Sequence, residues 1–471
     1  MMRLSRRAFL LGSGVAASAL VAACGVQSGS TTFSSESAGA RKVFGEYLKT
    51  IEGFPDAETF ALLERVAAAP HATNHMVEVA WNLLGDYRGT GNSLPQPIPP
   101  AAPLSFPGDH AQHLDTEREW YYETLSLTLD NGATLSVVAT FLRSAIGTKA
   151  SSASSSPMDR QIFSTSIGIT IQNMPGRADA HFAVPTTTFY PGSGGVTIAN
   201  EPFEFRLGNS SFIGERDVFP LHSHIVAERD AATGLPSITV DVSSEATNAL
   251  FLQGENGYVG AKNTNHFYYY SWPNQKTSGA VTIDGKRYSA RGVAWLDHQW
   301  GTGPTPPSGT APLGWGGWSW FEFQFDADRA LTLSIPHGAL TDGKLPSAPL
   351  EGFGTYIDSG KATLLGAMMT VPLDADVASP TTGALYPTQW DLHTFDGPQL
   401  HVVPSVAVEP QTLWFAGLEE YSEATCTVVG TLPDGSQMSG VGYCESVGFE
   451  DPIKYKARAV DFLTMALRAG S

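Results

Sequence analysis

Gly292-Val293-Ala294-Trp295-Leu296-Asp297-His298-Gln299-Trp300-Gly301 is the stretch on which the fold turns. Just before it, Ala280-Val281-Thr282-Ile283 and Lys286-Arg287-Tyr288 flank Asp284-Gly285. Asp-Gly between alternating runs supplies both positive φ angles of a type I′ turn, so the segment predicts a hairpin. Its returning strand passes through Gly292 and carries a carboxylate, an imidazole and two indoles to one end. Extended backbone alternates its side chains, which puts Trp295 and Asp297 on one face and Leu296, His298 and Trp300 on the other. Asp297 and His298 are then not side-by-side partners unless a bulge re-aims one of them, and Gly292 and Gly301 are positions where the strand can bend.

Outward from this hairpin, residues from about Phe106 to Phe449 read as short strands and turns. Trp120 to Leu129 alternates with period two, Asp130-Asn131-Gly132 turns the chain, and Ala133 to Leu142 returns. Further strands are expected at Ile167–Ile171, Phe203–Leu207, Ser237–Val242, Ala362–Val371, Leu400–Val406, Ala424–Val429 and Met438–Ser446. No sustained strand–helix alternation appears, which argues against a parallel doubly wound sheet. Trp120 to Val137 aligns without gaps on Trp318 to Ile335, an offset of 198 that places Trp120 on Trp318 and Tyr122 on Trp320. Such a repeat implies duplication of one β module, and some 340 residues suit two modules better than one barrel.

The two ends differ in texture. Ser5-Arg6-Arg7-Ala8-Phe9-Leu10 followed by an apolar stretch has the twin-arginine export pattern, and Val21-Ala22-Ala23-Cys24 has the form of a lipobox. The expectation is an exported lipoprotein, periplasmic or at the cell surface, held to the membrane by lipidated Cys24; the alternative is ordinary cleavage after small residues. Residues 25–40 form a Ser/Gly/Thr-rich tether, helical spacing follows around Phe44, Phe60 and Met76–Leu84, and a proline-rich boundary spans Asn92–Pro107. Pro452 to Ala469 again reads as a helix, able to cover a barrel flank. The expected division is therefore 1–24 signal, 25–105 tether and helices, 106–290 first β module, 291–451 second β module and 452–471 terminal helix.

The net charge is −18, and losing residues 1–23 removes three arginines and no acid, giving −21. A surface this acidic repels nucleic acid and anionic headgroups, so nucleic acid is excluded as a partner and membrane contact is expected only through the lipid anchor. Cys426 and Cys444 lie equidistant from Gly435 in a turn flanked by strands. A hairpin centred there opposes them, leaving a disulfide or two buried thiols as alternatives.

There is no nucleophile elbow, phosphate loop or dinucleotide fingerprint, and no cofactor is expected. His222-Ser223-His224 puts two imidazoles on one strand face, but spacing identifies no further ligands, so a solvated or hydrogen-bonded pair is favoured and no metal site is assigned. His110 and His113 either cap a barrel mouth or lie in a polar loop. The chemistry-bearing candidates are Asp297 and His298. Adding water to an alkene needs a carboxylic acid or imidazolium in a dry pocket beside aromatic faces. Asp297 serves equally well as a ligand for buried amides.

The run Tyr268-Tyr269-Tyr270-Ser271, Gly279, Asp284-Gly285 and Gly292 to Gly301 resembles the carotenoid 1,2-hydratases (hydroxyneurosporene synthases) and their AttH-like relatives. Glu119-Trp120-Tyr121-Tyr122, Gly317-Trp318-Ser319-Trp320-Phe321, Tyr386-Pro387 with Trp390, and Gly440-Val441-Gly442-Tyr443 extend the match over about residues 100–450. The resemblance implies a mainly β chain of two tandem antiparallel lipocalin-like barrels with a helical N-terminal region and a C-terminal helix. It also implies a lipophilic small-molecule ligand, either hydrated or rearranged in a barrel cavity or carried there without catalysis. His298 and Trp300 match the His-x-Trp of the hydratases, and Trp295, Trp120, Tyr122, Trp318 and Trp320 are the expected substrate-binding aromatics. The acidic strand of those enzymes corresponds here to Arg329–Ser334, which has no acid. Together these readings place His298 and Trp300 on an apolar cavity at the contact of the modules, with Asp297 bracing the strand.

Overall fold

The computed structural model describes residues 35–84, 103–145, 161–189, 194–259, 266–302, 315–338, 348–406, 413–449 and 452–470, less gaps of one to three residues within these spans. The export signal, Cys24 and most of the tether lie outside the described residues. The chain is mainly β, as expected. Its first sheet opens with β1 (Arg118–Leu129), β2 (Thr134–Ala145), β3 (Gln161–Gln172) and β4 (Ala180–Phe189). It continues with β5 (Val196–Asn200), β6 (Phe203–Leu207), β7 (Ser210–Gly214), β8 (Leu221–Ala227) and β9 (Ile238–Glu245). Two short strands, β10 (Phe251–Leu252) and β11 (Tyr258–Val259), precede the long hairpin of β12 (His266–Ile283) and β13 (Lys286–Thr302). Asp284 and Gly285 have φ of 50° and 80°, the two positive angles the Asp-Gly turn predicts.

The order in this sheet is β4-β3-β2-β1-β13-β12-β9-β8-β7-β6-β5, so the organising strand β13 lies between β1 and β12. The sheet curls around a core that includes Leu125, Val137, Phe141, Phe205, Val240 and Leu296. The expected module boundary at 290/291 falls inside β13 and is corrected: β13 pairs with β1 and β12 out to Gly301 and Thr302. A sequence reading that starts a new module at Gly292 overlooks that both neighbours of this strand come from the first module.

The second sheet is built from β14 (Trp315–Gln324), β15 (Arg329–Gly338), β16 (Leu350–Asp358) and β17 (Lys361–Thr370), while β18 (Asp376–Ala378) and β19 (Leu385–Pro387) pair separately. It is completed by β20 (Trp390–Thr394), β21 (Gln399–Pro404), β22 (Leu413–Phe415), β23 (Glu419–Thr431) and β24 (Gln437–Val447). Pairing of β21 with both β20 and β23 closes it into a barrel around Phe321, Leu333, Trp390 and Val402.

The repeat is visible in this topology. Strand β1 lies between the next strand and the last strand of its module, and β14 lies between β15 and β24 in the same way. The hairpin registers differ, since Tyr122 faces Thr140 whereas Trp320 faces Ser334, a four-residue slip relative to a rigid copy. An even slip keeps each residue on its face, so the duplication preserves which side chains point where.

Helices α1 (Ser35–Leu48), α2 (Ala57–Ala68), α3 (Asn74–Leu84) and α4 (Pro452–Ala469) pack on one another. Asp56 caps α2 by accepting from the Thr59 amide at 3.0 Å, and Lys456 of α4 reaches the same carboxylate at 2.8 Å. The C-terminal helix therefore buries Leu463 mainly against the N-terminal helices, touching the β body through Ile162. The expected barrel flank is only its margin.

The disulfide expectation is corrected. Cys426 stands opposite Gly442 and Cys444 opposite Ala424, and both are buried free thiols. Leu432 accepts from the Gly435 amide and Gly435 has φ of 85°, the signature of a three-residue loop centred on Asp434. Centring the hairpin one residue earlier displaces the two cysteines by two positions.

Candidate active site between the two sheets

The outer face of β1 lies against the outer face of β14. Thr124 Oγ1 donates to Glu322 Oε1 at 2.6 Å, and the Tyr122 and Trp320 rings meet edge to face at 5.4 Å. Both pairs join residues 198 apart, so the two copies of the repeat face one another about a local pseudo-two-fold. The symmetry continues in the flanking strands. Gly440-Val441-Gly442-Tyr443-Cys444-Glu445 of β24 mirrors Gly292-Val293-Ala294-Trp295-Leu296-Asp297 of β13. Asp297 stands opposite Tyr122, and Glu445 stands opposite Trp320.

The two halves treat their acids differently. Asp297 is saturated: Trp295 Nε1 donates at 2.7 Å, Tyr269 OH at 2.5 Å, and Ser271 Oγ also donates. Burial raises its pKa to about 7 against the pull of these bonds. In the second half, Glu445 accepts from Trp318 Nε1 at 2.6 Å and stands directly opposite Glu423 on β23. As a carboxylate, Glu423 has no donor for either oxygen; protonated, it donates to Glu445. Burial and the neighbouring Glu445 push Glu423 well above the usual carboxylate range, and burial raises Glu445. Glu322 is raised well above it by burial too, and its Oε2 has no partner.

Tyr122 completes the group. Its buried hydroxyl also lacks a partner, and its pKa is raised by burial and then by Glu423, Glu322 and Glu445, which places it among the three glutamates. No lysine or arginine acts on these acids among the described residues. Carboxyl groups dried out without a cation favour their neutral, proton-bearing form. The site can therefore deliver a proton beside the Trp320 and Tyr122 rings, with Trp120 packed against the same cluster.

The other face of β13 belongs to the interior of the first module. His298 is fully buried, stacked on Tyr121 at 4.0 Å and 4.5 Å from the Trp300 ring. Its Nε2 contacts Glu119 Oε1 at 2.9 Å and its Nδ1 contacts Tyr270 OH at 3.1 Å. Burial lowers its pKa to about 4. Glu119 is also held by Arg143 Nε at 3.1 Å and by His113 Nδ1 at 2.9 Å. Despite burial, those contacts hold Glu119 well below the usual carboxylate range. His110 joins through Tyr270 OH at 2.8 Å, so the buried His110 and the partly exposed His113 cap this end of the module as network members.

Placement thus corrects the expected site. β-alternation separates the residues as predicted, but His298 and Trp300 face away from the contact between the modules, whereas Asp297, Trp295, Tyr122, Trp120, Trp318 and Trp320 face it. Removing the fully bonded His298 side chain is expected to destabilise the protein. His222 and His224 each contact their own acid, Glu215 at 2.8 Å and Asp241 at 2.5 Å, the hydrogen-bonded outcome. Glu322, Glu423 and Glu445 were missed as site residues. Each lies on a strand at alternating spacing that gives no clue to its partner; only the Gly440–Glu445 echo of Gly292–Asp297 is a usable signal.

Glu123, on the core face of β1, yields a pH test. It accepts from Ser223 Oγ at 2.8 Å, its other oxygen is unpartnered, and burial raises its pKa to about 8. A raised acid keeps its proton in the folded state while the unfolded chain ionises, so stability falls as pH rises from its ordinary value towards 8. Over this range the depressed histidines titrate only in the unfolded chain, and comparing variant with wild type cancels their contribution. Glu123→Gln is expected to remove about 1–2 kcal/mol of the stability loss between pH 6.5 and 8. Parallel melting curves of variant and wild type would refute the assignment.

Comparison with known proteins adds the following. The model of the family described as AttH-like matches residues 97–449. The crystal structure of an AttH protein from Nitrosomonas europaea is 23% identical, with TM-score 0.57, and the match covers 75% of this chain and 99% of that one. Kievitone hydratase from Nectria haematococca is 15% identical, with TM-score 0.50, covering 76% of this chain and 96% of that one. No curated protein matches the chain.

Proposed function

This chain belongs to the AttH-like family, and from that premise we propose that it is a hydratase-like enzyme acting on a neutral, lipophilic, unsaturated small molecule between its two sheets. One observation carries the reading: the buried Glu322 and Glu423 and the partly buried Glu445, without a cation, surround the unpartnered Tyr122 hydroxyl beside Trp320. Leaving such groups unsatisfied in a filled interface costs free energy that a mere structural contact has no reason to bear. The fold shared with a kievitone hydratase is consistent with it.

In this mechanism Glu423 transfers its proton to one alkene carbon. The positive charge that develops on the next carbon is faced by the Trp320 and Tyr122 rings. A water held at Glu322 Oε2 adds its oxygen to that carbon, and the proton it loses returns to the Glu423–Glu445 pair. Atoms balance with water as the only co-reactant. A ligand bearing a carboxylate or phosphate is disfavoured, since its charge would be dried out with no lysine or arginine to pair it. Isoprenoid-like and carotenoid-like alkenes are the substrate classes that fit.

The test is incubation of the purified protein with such a panel in heavy-oxygen water, read by mass spectrometry. Products that gain one labelled water support the enzyme. Compounds retained on the protein but returned unchanged would mean a lipocalin-like carrier instead.

We also propose that the chain is exported by the twin-arginine route and anchored through Cys24. No described helix is long and apolar enough to cross a membrane, so on this reading the lipid alone holds it. Cys24→Ser should move the protein from the membrane pellet to the soluble fraction; continued sedimentation with membranes would refute the anchor.

A further inference from the structure

Outside the proposed active site, one cluster has the composition and convergence of a metal centre. His113, Glu119 and His298 each offer one ligand atom, and these atoms lie within 4.8 Å of one another. His113 Nδ1 and His298 Nε2 both approach the same oxygen, Glu119 Oε1, at 2.9 Å. Donor atoms of a tetrahedral zinc site at about 2.0–2.2 Å from the metal stand roughly 3.3–3.5 Å apart, a spacing these three reach by small movements.

The surroundings are those a metal requires. His113 Nε2 is held by Asp109 Oδ1 at 3.4 Å and His298 Nδ1 by Tyr270 OH at 3.1 Å, so the distal nitrogen of each ring has an acceptor. Glu119 Oε2 is occupied by Arg143 Nε at 3.1 Å, which leaves Oε1 for the ion. The His113 ring is stacked on Trp300 at 4.1 Å and the His298 ring on Tyr121 at 4.0 Å, fixing both planes. Three donors crowd Glu119 Oε1 in the metal-free state, because the His113 amide donates to it as well at 3.0 Å.

We propose that His113 Nδ1, Glu119 Oε1 and His298 Nε2 bind one divalent transition-metal ion, zinc by preference, with water completing its coordination. On binding, His113 gives up its Nδ1 proton and keeps Nε2–H on Asp109. His298 moves its proton from Nε2 to Nδ1, where Tyr270 accepts it and turns its own hydroxyl to His110 Nδ1. Arg143 opposes the ion by charge, but its remaining N–H groups are fixed on Thr116, His113 and Gln161, and Asp109 compensates. The His113 edge, 18% exposed, gives the ion a way in.

The full-length protein, stripped with chelator, would be titrated with Co²⁺ by visible absorption and with Zn²⁺ by calorimetry. The expected result is one equivalent of Co²⁺ with the d–d bands of a low-coordinate nitrogen/oxygen site, displaced by Zn²⁺. His113→Ala should abolish it, Asp109→Asn should weaken it about 10–100-fold, and His222→Ala should change nothing. Absence of stoichiometric binding by the wild type overturns the proposal without any variant. So does binding that survives both His113→Ala and Asp109→Asn. Neither result bears on water addition between the sheets, which uses none of these residues.

Discussion

Glu423→Gln is expected to lower kcat by about 10²–10⁴-fold, the usual worth of a positioned general acid, with little change in KM. Glutamine keeps the size of the side chain and can donate its amide to Glu445, but it has no proton to transfer. Thermal stability should be unchanged or slightly higher, because one of two directly opposed acids is gone. That combination distinguishes catalysis from packing: a structural residue would lose stability first and turnover only in consequence. Turnover is measured as labelled-water addition, with unfolding followed in parallel. Near-normal turnover in Glu423→Gln alongside a lost rate in Glu322→Gln would transfer the acid role to Glu322, whose Oε2 is also unpartnered. Normal turnover in both would sink the inter-sheet mechanism.

The largest stability effect is expected at Arg143. This arginine is fully buried and donates to Glu119 Oε2, the Thr116 carbonyl and hydroxyl, the His113 carbonyl and Gln161 Oε1. Its bonds pin residues 113–116, ahead of β1, onto the end of the first module. Arg143→Met fills much of the volume but leaves the Glu119 carboxylate buried without its guanidinium and takes the Arg143 donors from the Thr116 carbonyl and Gln161 Oε1. The expected cost is about 3–5 kcal/mol, the range for breaking one side of a buried pair. Arg143→Met with Glu119→Leu should be less destabilised than the sum of the single changes, since the uncompensated charge disappears with its partner. Chemical denaturation of the four proteins checks this cycle. A cost below about 1 kcal/mol for Arg143→Met would mean that water or rearrangement satisfies Glu119 as well as the guanidinium does.

These two expectations concern groups that meet opposite faces of β1 and β13, Arg143 at Glu119 and Glu423 at Tyr122, and that separation was legible from the start. Period-two alternation in Trp295–Trp300 put Asp297 and His298 back to back, and the structure keeps them so. The Asp284-Gly285 turn, the hairpin it joins and the 198-residue repeat were readable too, because each rests on local backbone preference or on copied sequence. The family resemblance pointed to the right region of the chain but drew attention to His298, which the fold seals into the first module.

What the sequence could not supply is what meets what. By itself it determined a duplicated antiparallel β protein, most of its strands, its terminal helix and the facing of its aromatic residues. Strand order decided the rest. Only when β13 pairs with β1 does the module boundary move past residue 290, and only when β1 lies against β14 do Tyr122, Glu322, Glu423 and Glu445 share one dry space. A three-residue rather than symmetric turn at Pro433-Asp434-Gly435 likewise separated two cysteines that counting had matched. Alternation fixes the face of a side chain within its own strand; its partner and its desolvation come from residues a hundred or more positions away. The pKa of a buried glutamate, and with it the chemistry, is therefore a property of the packed pair of sheets.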